Sequence, residues 1–564
     1  MCGINGFTFN GPELIDRMNS ETRHRGPDGT GVFLGDRISI GHNLLAITDK
    51  PERSNQPVIF DDAVLAYNGE IYNYKILRGE LGGAFRTDSD TEVVSEGLRR
   101  HGVDFLAKLD GMFAIAWYDR KREKIFLARD PVGMKPMYYA IHGGNLIFSS
   151  ELRGLFAHDI PRRLNHAMMP VFFALGYVPG KETLISGIFK VMPGQIIEFD
   201  LQKKSVTESW MPIDDREQIR TVELSNCREI IGAAVNEHTM GLRPFGLYLS
   251  GGLDSTIILH ELSRRRPENI KTYTTRFAAG DPAFNEDADR AQKLCRDYRI
   301  EHHELLVSER DFIDATEPAI AAMEEPRYNH SVPAYWLLAK HASKDVVVVL
   351  NGSGGDELFM GYSRYEVSKK ISGRRRWPWW KIGYFFKHVH DPLSQWAYVH
   401  AINNKNNALL LRYLESLHYP RVTQPLTDTE NAVAEFDRLF WLADEEFLRT
   451  DKISMQFGME GRFPLLARSV RTLANSIPSS QKGSSKALLR AAYQNNLPDY
   501  IVQKKKTGWN APVTEWMRGK FGAFVREVLA DKYVDLPRYT FADMKKILPL
   551  FYFKIWARHF KIST

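Results

Sequence analysis

A short segment of small and acidic residues, Ser250–Ser255, has the composition of a phosphate-binding loop. It follows the apolar run Phe245–Leu249, which is typical of a buried strand, and precedes an apolar-periodic segment, Thr256–Arg265. Its glycines let backbone N–H groups approach a ligand, and a helix start adds partial positive charge. The serine hydroxyls can donate to an anion, while Asp254 can hold a cation. No Gly-Lys-Ser/Thr follows as in a Walker loop, and an ordinary glycine-rich turn is the alternative.

A second glycine-rich segment, Asn351–Phe359, follows the β-branched run Asp345–Leu350 and ends in acidic residues. Its glycines again allow close approach to the backbone. If both loops lie at one edge of a sheet, Asp254 and Asp356 face one site, and two carboxylates with phosphate oxygens suit Mg²⁺. Taken alone, this segment could equally be a turn whose acids cap the next helix.

Cys2 could act as a nucleophile at the start of the chain. Cysteine is small enough for the initiator Met1 to be removed, which would leave an α-amine beside the thiol of the same residue. An α-amine titrates near pKa ~7.7–8.0 and a thiol near ~8.5, so the amine can serve as the base that activates the sulfur. A cysteine at position 2 without supporting residues would carry no such meaning.

Two further groups supply what such a nucleophile needs. Asn68 and Gly69 follow the apolar run Ala63–Tyr67, so a side-chain amide and a backbone N–H at a strand end could stabilise an oxyanion. Asp90 lies in the acidic segment Thr87–Glu92 at a predicted helix start, where it could bind an ammonium group or, alternatively, cap the helix. These groups favour the interpretation of the cysteine as a nucleophile.

Composition limits the class of protein. A chain of 564 residues is too long for one core, and 43% hydrophobic with 26% charged residues is typical of globular domains. The net charge is +6, and the charged residues are spread along the chain. Binding of phosphate-bearing substrates explains this charge as well as binding of nucleic acid does. Three cysteines give no disulfide framework, which favours a reducing compartment and a cytoplasmic protein. We see no signal peptide and no apolar run of about 20 residues that could span a membrane.

The elements around these residues fall into two halves. Before about residue 200, apolar strands alternate with turns. From about Thr221, short β-branched strands, among them Lys271–Phe277, alternate with helices, which predicts a parallel, doubly wound sheet. Ligands bind such sheets at the carboxyl ends of the strands, so the loops after Leu249, Thr275 and Leu350 should meet at one place.

The blocks at 23–29, 68–73 and 87–92, followed in order by Ser250–Ser255 and Asn351–Phe359, resemble the glutamine-hydrolysing asparagine synthetase family from Cys2 to about Gly519. The resemblance implies a class II glutamine amidotransferase domain over 2–201, with the α+β four-layer αββα sandwich of N-terminal-nucleophile hydrolases. It further implies a linker over 202–220. An ATP pyrophosphatase domain of α/β, doubly wound parallel-sheet architecture would cover 221–564.

The resemblance assigns roles residue by residue. Cys2 would be the nucleophile for the glutamine amide and Lys486 would neutralise developing phosphate charge. Oxyanion stabilisation and glutamine binding would fall to Asn68, Gly69, Glu70 and Asp90. ATP would be bound by Leu249, Ser250, Gly251, Gly252, Asp254, Ser255, Thr275, Gly352 and Lys506. Asp254 and Asp356 would hold Mg²⁺.

Three positions depart from the family pattern. Leu44 stands where an arginine grips the glutamine carboxylate, and a leucine makes no such contact. Arg53 is the replacement that we expect from its nearness in the sequence. Ser353 replaces an acid near the acyl-adenylate, and an unaided serine is no general base at neutral pH. Ala467 replaces the last acid of the Glu460–Ala467 block.

Three functions stay open. The first is amidation of aspartate with glutamine, ATP and Mg²⁺, and the second is the same chemistry on another carboxylate, such as a uronic acid of a surface polysaccharide. The third is a non-catalytic regulator, against which the retained Cys2, Asp254 and Asp356 argue. No nucleic acid partner is expected, and a homodimer is compatible with the resemblance. Gly373–Lys381 is basic and aromatic, and we favour a packed insertion there over a membrane or anion surface.

Overall fold

The computed structural model describes residues 2–212, 223–265, 270–366, 392–400, 407–420, 428–504, 510–533 and 544–563. Lys506 and the segment 373–381 lie outside the described residues. No helix among the residues described has the length and apolar character needed to cross a membrane.

The N-terminal part of the chain forms two six-stranded antiparallel sheets. Their orders are β10-β8-β9-β1-β3-β2 and β12-β11-β7-β6-β5-β4. The strands are β1 (Gly3–Phe7), β2 (Gly29–Gly35), β3 (Ile38–Leu44), β4 (Val58–Ile59), β5 (Ala63–Ile71), β6 (Gly111–Asp119), β7 (Lys124–Arg129), β8 (Tyr138–His142), β9 (Asn145–Ser149), β10 (Ile188–Lys190), β11 (Gln195–Asp200) and β12 (Ser205–Trp210).

Helices cover both outer faces of this sheet pair. They are α1 (Pro12–Glu21), α2 (Tyr74–Leu81), α3 (Asp90–His101), α4 (Leu152–Leu155) and α5 (Met169–Leu175). On β1, Ile4 points into the core between the sheets, whereas Phe7 points outward to the side of α1, as strand alternation requires. α3 packs on the outer face of β5. The predicted four-layer αββα sandwich is confirmed.

The C-terminal part is built on a five-stranded parallel sheet of order β15-β14-β13-β16-β17. Its strands are β13 (Phe245–Tyr248), β14 (Lys271–Phe277), β15 (Glu301–Val307), β16 (Val348–Leu350) and β17 (Glu460–Arg462). Helices of the first part of this domain are α6 (Leu224–Glu237), α7 (Leu253–Arg265), α8 (Glu286–Tyr298), α9 (Glu309–Met323), α10 (Val332–Ala342) and α11 (Gly355–Leu358).

The remaining helices are α12 (Pro392–His400), α13 (Asn407–Ser416), α14 (Thr429–Phe436), α15 (Phe447–Met455), α16 (Arg468–Ser476), α17 (Ser479–Lys482), α18 (Ala487–Tyr493), α19 (Asp499–Val502), α20 (Val513–Trp516), α21 (Lys520–Ala530) and α22 (Met544–Phe560). Between α14 and α15 the chain is wound as a π-helix over Asp437–Glu446. Such wide turns are rare and often lie at functional sites.

Alternate residues of the parallel sheet enter two different cores. Leu247 and Val348 pack with residues of α6 and α7, whereas Tyr248 and Val349 pack with residues of α9 and α10. Helices therefore cover both faces, and the predicted doubly wound sheet is confirmed. After β13 the chain first forms β14 on one side of that strand and later forms β16 on its other side. This reversal opens a crevice at the carboxyl ends of β13 and β16.

The junction between the two parts differs from the sequence interpretation. Ser205–Trp210, which lie in the predicted linker, form β12 and pair with β11. The sheet thus continues past the predicted boundary at 201, and residues 213–222 lie outside the described part of the chain. β5 likewise runs on through Asn68 and Gly69 to Ile71, so these residues lie within the strand and not after it.

Candidate active site

A first cavity, the Cys2 cavity, opens where β1 begins and β5 ends. It is lined by Cys2, Leu44, Leu45, Ala46, Ile47, Thr48, Ser54, Gln56, Tyr67, Gly69, Glu70, Ser89, Asp90 and Thr91. The backbone N–H of Cys2 donates to Oδ1 of Asn68 at 2.9 Å. Burial raises the pKa of the Cys2 thiol, so a nearby base is needed to form the thiolate.

The strand β5 places the other predicted groups beside this sulfur. Asn68 and Glu70 share one face of the strand because side chains alternate with period two. Asn68 is outside the lining of the cavity, and its buried Nδ2 has no hydrogen-bond partner among the described residues. Gly69 is required by space, since a Cβ there would lie 2.1 Å from the carbonyl oxygen of Met112.

Asp90 completes the cavity at the N-terminus of α3. Its carboxylate accepts from the hydroxyl of Tyr67 at 2.7 Å and from the backbone N–H of Ile71 at 3.0 Å. Ser89, and not Asp90, caps the helix through the backbone N–H of Thr91. Burial raises the pKa of Asp90. Asp90 is therefore not the cap of this helix, and it lines the cavity.

The described wall of this cavity offers no cation to a carboxylate ligand. Leu44 lines the cavity, and the lining includes neither arginine nor lysine. Arg53 does not take the missing role, since its side chain is 47% exposed, lies near Asp49 and donates to the carbonyl of Arg86. The expectation for Arg53, which came from nearness in the sequence, has no support in the fold.

Glu70 joins the Cys2 cavity to the C-terminal domain. Its Oε2 lies 2.7 Å from Nη2 of Arg462, the last residue of β17, and both side chains are buried. The backbone carbonyl of Arg462 in turn accepts from the N–H of Asn351, in the loop after β16, at 2.8 Å. One arginine thus contacts residues that line two separate cavities.

The second cavity, the Asp254 cavity, has a volume of about 390 Å³ and lies at the carboxyl ends of β13, β14 and β16. Its lining includes Leu249, Ser250, Gly252, Asp254, Ser255, Thr275, Gly352 and Asp356, which all belong to the predicted set. Gly251 is outside the lining, and it has φ +65° with no room for a Cβ beside the carbonyl of Asp287. Gly251 therefore shapes the loop.

Lys486 is outside the lining of the Asp254 cavity but pairs with two carboxylates that line it. Its Nζ lies 2.7 Å from Asp356 and also contacts the carboxylate of Asp254. Burial alone would lower the pKa of Lys486, but the two carboxylates raise it above its usual range, so the ammonium is charged. Two neighbouring carboxylates beside the glycine-rich loop Ser250–Ser255 have the chemistry of a Mg²⁺ site that is completed by oxygens of a ligand. Protein groups alone form no cluster of three such ligands in the described chain.

The lining of the Asp254 cavity also includes polar residues that the sequence analysis missed. Glu446 and Arg449, close together on the π-helix and α15, line it with Ser353. The Oγ of Ser353 lies 2.8 Å from Oε1 of Glu446. No local signal marks these residues, because they lie 93 or more positions from Ser353 and meet it only in the fold.

Ala467, the third departure from the family pattern, lies outside the lining of the Asp254 cavity. Ala467 is buried and occupies the N-cap position of α16 without a side-chain hydrogen bond. An acid there would cap this helix, a contribution of about 1 kcal/mol. Ala467 therefore affects the stability of the start of α16 and does not indicate which substrate is bound.

Comparison with known proteins agrees with this geometry. The asparagine synthase family matches residues 226–558, and a glutamine amidotransferase domain matches residues 1–211. An asparagine synthetase [glutamine-hydrolyzing] 1 of Bacillus subtilis is 28% identical, with 95% of this chain and 91% of the relative aligned. A putative asparagine synthetase [glutamine-hydrolyzing] 2 of Methanocaldococcus jannaschii is 31% identical, with 67% of this chain and 79% of the relative aligned.

Proposed function

Because this chain belongs to the asparagine synthase family, we propose that it converts aspartate into asparagine, with glutamine as the nitrogen source and AMP and pyrophosphate as products. The observation that carries the proposal is the pairing of a thiol cavity with an Asp254–Lys486–Asp356 cavity in one chain. Arg462 links the two through Glu70 and Asn351.

The Cys2 cavity would hydrolyse glutamine. The thiol attacks the side-chain amide carbon once the nitrogen of Cys2, as a free α-amine, has taken its proton. The Nδ2 of Asn68 and the N–H of Gly69 donate to the oxygen that becomes negative. Asp90 binds the ammonium group of glutamine, and ammonia leaves when the acyl-cysteine forms.

The Asp254 cavity would activate the acceptor. The loop from Ser250 to Ser255 binds the β- and γ-phosphates that leave as pyrophosphate. Asp254 and Asp356 would hold Mg²⁺, whose charge neutralises phosphate oxygens. Lys486 stabilises the charge that develops while the acceptor carboxylate attacks the α-phosphorus. The product is an acyl-adenylate, which has a good leaving group for ammonia.

Pyrophosphate release from ATP and Mg²⁺ with glutamine, measured with and without aspartate, tests the proposal. Release that requires aspartate and yields asparagine supports it. Cys2→Ala should abolish the glutamine-supported reaction and keep the ammonium-supported one, which separates the two cavities. Hydrolysis of glutamine without any response to aspartate would show that the acceptor is another carboxylate.

A second acceptor class, the uronic acids of surface polysaccharides, is favoured by one observation. Ser353 stands where the family pattern has an acid, and the aromatic residues Tyr362 and Trp441 line the same cavity. Aromatic faces suit the apolar face of a sugar ring. Galacturonate in place of aspartate in the same assay distinguishes the two acceptors, and a chain that turns over ATP with neither would be the regulator.

We further infer a cytoplasmic site of action. The three cysteines of the chain are free and buried. The proposed reaction needs Cys2 as a thiol, which a reducing compartment preserves.

A further inference from the structure

Ser353, in the loop after β16, stands where the family pattern has an acid, and a carboxylate from another element contacts it. The Oγ of Ser353 lies 2.9 Å from Oδ1 of Asn351 and 2.8 Å from Oε1 of Glu446. The N–H of Ser353 also donates to Asn351 at 3.0 Å. The hydroxyl is therefore held between an amide oxygen and a carboxylate, in a loop that lines the Asp254 cavity.

Glu446 is fixed in place by its backbone and by a cation. It is the last residue of the π-helix, and its side chain is 9% exposed. Arg449 pairs with Glu446 and, at 3.1 Å, with Glu445. Glu445 also accepts from Asn329 at 2.9 Å, so the two acids are held differently and only Glu446 contacts the serine.

We propose that Glu446, acting through the hydroxyl of Ser353, accepts the proton that nitrogen loses when ammonia attacks the activated carboxylate; this assignment rests on the proposed function. In that step the C–N bond forms and the bond from the acyl carbon to the phosphate oxygen breaks. AMP leaves with the electron pair. One proton passes from nitrogen to the Oγ of Ser353 as the hydroxyl proton passes to Glu446.

The hydrogen bonds around Ser353 satisfy both protonation states of the acid. A hydroxyl carries one proton and two lone pairs. While Glu446 is ionised, Ser353 donates to it. Once Glu446 is protonated, the acid donates to Ser353, and the serine turns its proton to Asn351. No buried group is stranded by the transfer, which keeps its cost low.

The surroundings of Glu446 also suit a base. Burial raises the pKa of Glu446 from its ordinary value, against the opposing charge of Arg449. A base whose pKa is closer to the working pH takes a proton more effectively from nitrogen. An acid in this position could instead bind an ammonium group of the acceptor, which predicts a change in KM and not in the amide-forming step.

The test separates adenylate formation from amide formation in the full-length chain. The first is measured as a single-turnover burst of pyrophosphate with ATP, Mg²⁺ and aspartate in the absence of ammonia. The second is measured as amide formed after ammonium chloride is added. Glu446→Gln keeps the shape of the side chain but not its basicity, and Ser353→Ala removes the relay. Glu445→Gln is the matched control, since it removes a charge from the same arginine without touching Ser353.

We expect Glu446→Gln to retain the pyrophosphate burst, which also shows that the protein is folded, and to form amide about 10²-fold more slowly. Ser353→Ala should slow the same step. Glu445→Gln should form amide at nearly the rate of the unsubstituted protein. Hydroxylamine should restore part of the amide-forming rate in Glu446→Gln. Once bonded to the acyl carbon, its nitrogen loses a proton more readily than the nitrogen of ammonia does.

Other results overturn the assignment. Equal losses in Glu446→Gln and Glu445→Gln would show a general effect of charge on Arg449. A raised KM for aspartate with an unchanged amide-forming rate would show that Glu446 binds the acceptor. Should the unchanged protein give a burst only with galacturonate, the same comparison is made with that acceptor. If it gives no burst with either, the proposed function fails, and the role of Glu446 fails with it.

Discussion

Replacement of Arg462 should weaken the joint between the two domains strongly. Its guanidinium has no exposed surface, and it pairs with Glu70 and Glu460. It also donates to the carbonyl oxygens of His238 at 2.9 Å and Met240 at 2.6 Å. Each direction of its planar fork is therefore in use, which a lysine with one ammonium cannot reproduce.

Arg462→Met strands two buried carboxylates without their cation. Breaking a buried ion pair in this way costs about 3–5 kcal/mol. For a domain of ~150–250 residues, each kcal/mol shifts the midpoint by about 2–4 °C, so a fall of roughly 6–20 °C is expected. Because Glu70 lines one cavity and the carbonyl of Arg462 binds the N–H of Asn351 beside the other, more glutamine should be hydrolysed per amide formed.

Thermal unfolding and the ratio of glutamate to amide measure these effects. Arg468→Met is a suitable control, because Arg468 crosses the same interface but donates only to the carbonyls of Ala107 and Leu109, so no charge is stranded. Adding Glu460→Gln to Arg462→Met should recover part of the loss. A midpoint for Arg462→Met within 2 °C (about 1 kcal/mol) of that for Arg468→Met would refute the reasoning.

Three further outcomes are expected. Cys2→Ala should lower glutamine hydrolysis by more than about 10³-fold, read as glutamate release, and spare ammonium-supported synthesis. Lys486→Met should lower pyrophosphate release by about 10²–10³-fold and leave glutamine hydrolysis unchanged. Burial lowers the pKa of His238 to about 3, so the unfolded chain binds the extra proton below about pH 6.5, and stability falls as pH drops toward 3. His238→Phe, which can keep the stack on Tyr72, should remove about 2 kcal/mol of that loss at pH 5 in urea titrations.

Local patterns were sufficient to predict the strands that carry the second cavity. The predicted strand Lys271–Phe277 has the bounds found for β14, and the loops after Leu249 and Leu350 do meet at the crevice. These segments are mostly buried, and they form short apolar or β-branched runs that can be recognised without a fold. The glycines of both loops also have a local cause, which is close backbone approach.

β12 could not be predicted in the same way. Ser205–Trp210 is a mainly exposed strand with no apolar face, and its pairing with β11 alone makes it a strand. Edge strands of this kind owe their conformation to a neighbour, and a sequence pattern that rests on burial does not detect them. Asn68 and Gly69, which the sequence places after a strand, lie within β5 because they pair with Ala114 and Phe113 of β6.

The two substitutions at ligand positions show what a sequence reveals about a changed site. Leu44 and Ser353 each stand where the family pattern described in the sequence analysis has a charged group, and both departures are visible in the sequence. The outcome differs in the fold, because Glu446 contacts Ser353 whereas the described lining of the Cys2 cavity brings no arginine or lysine near Leu44. A lost base can be replaced through one shared proton, since a hydroxyl passes it on. A lost bidentate clamp cannot be relayed, because it needs two parallel N–H groups on the carboxylate itself. We therefore expect glutamine binding to be impaired more than amide formation. The KM for glutamine should lie in the millimolar range or above, and ammonium should replace glutamine as the nitrogen source.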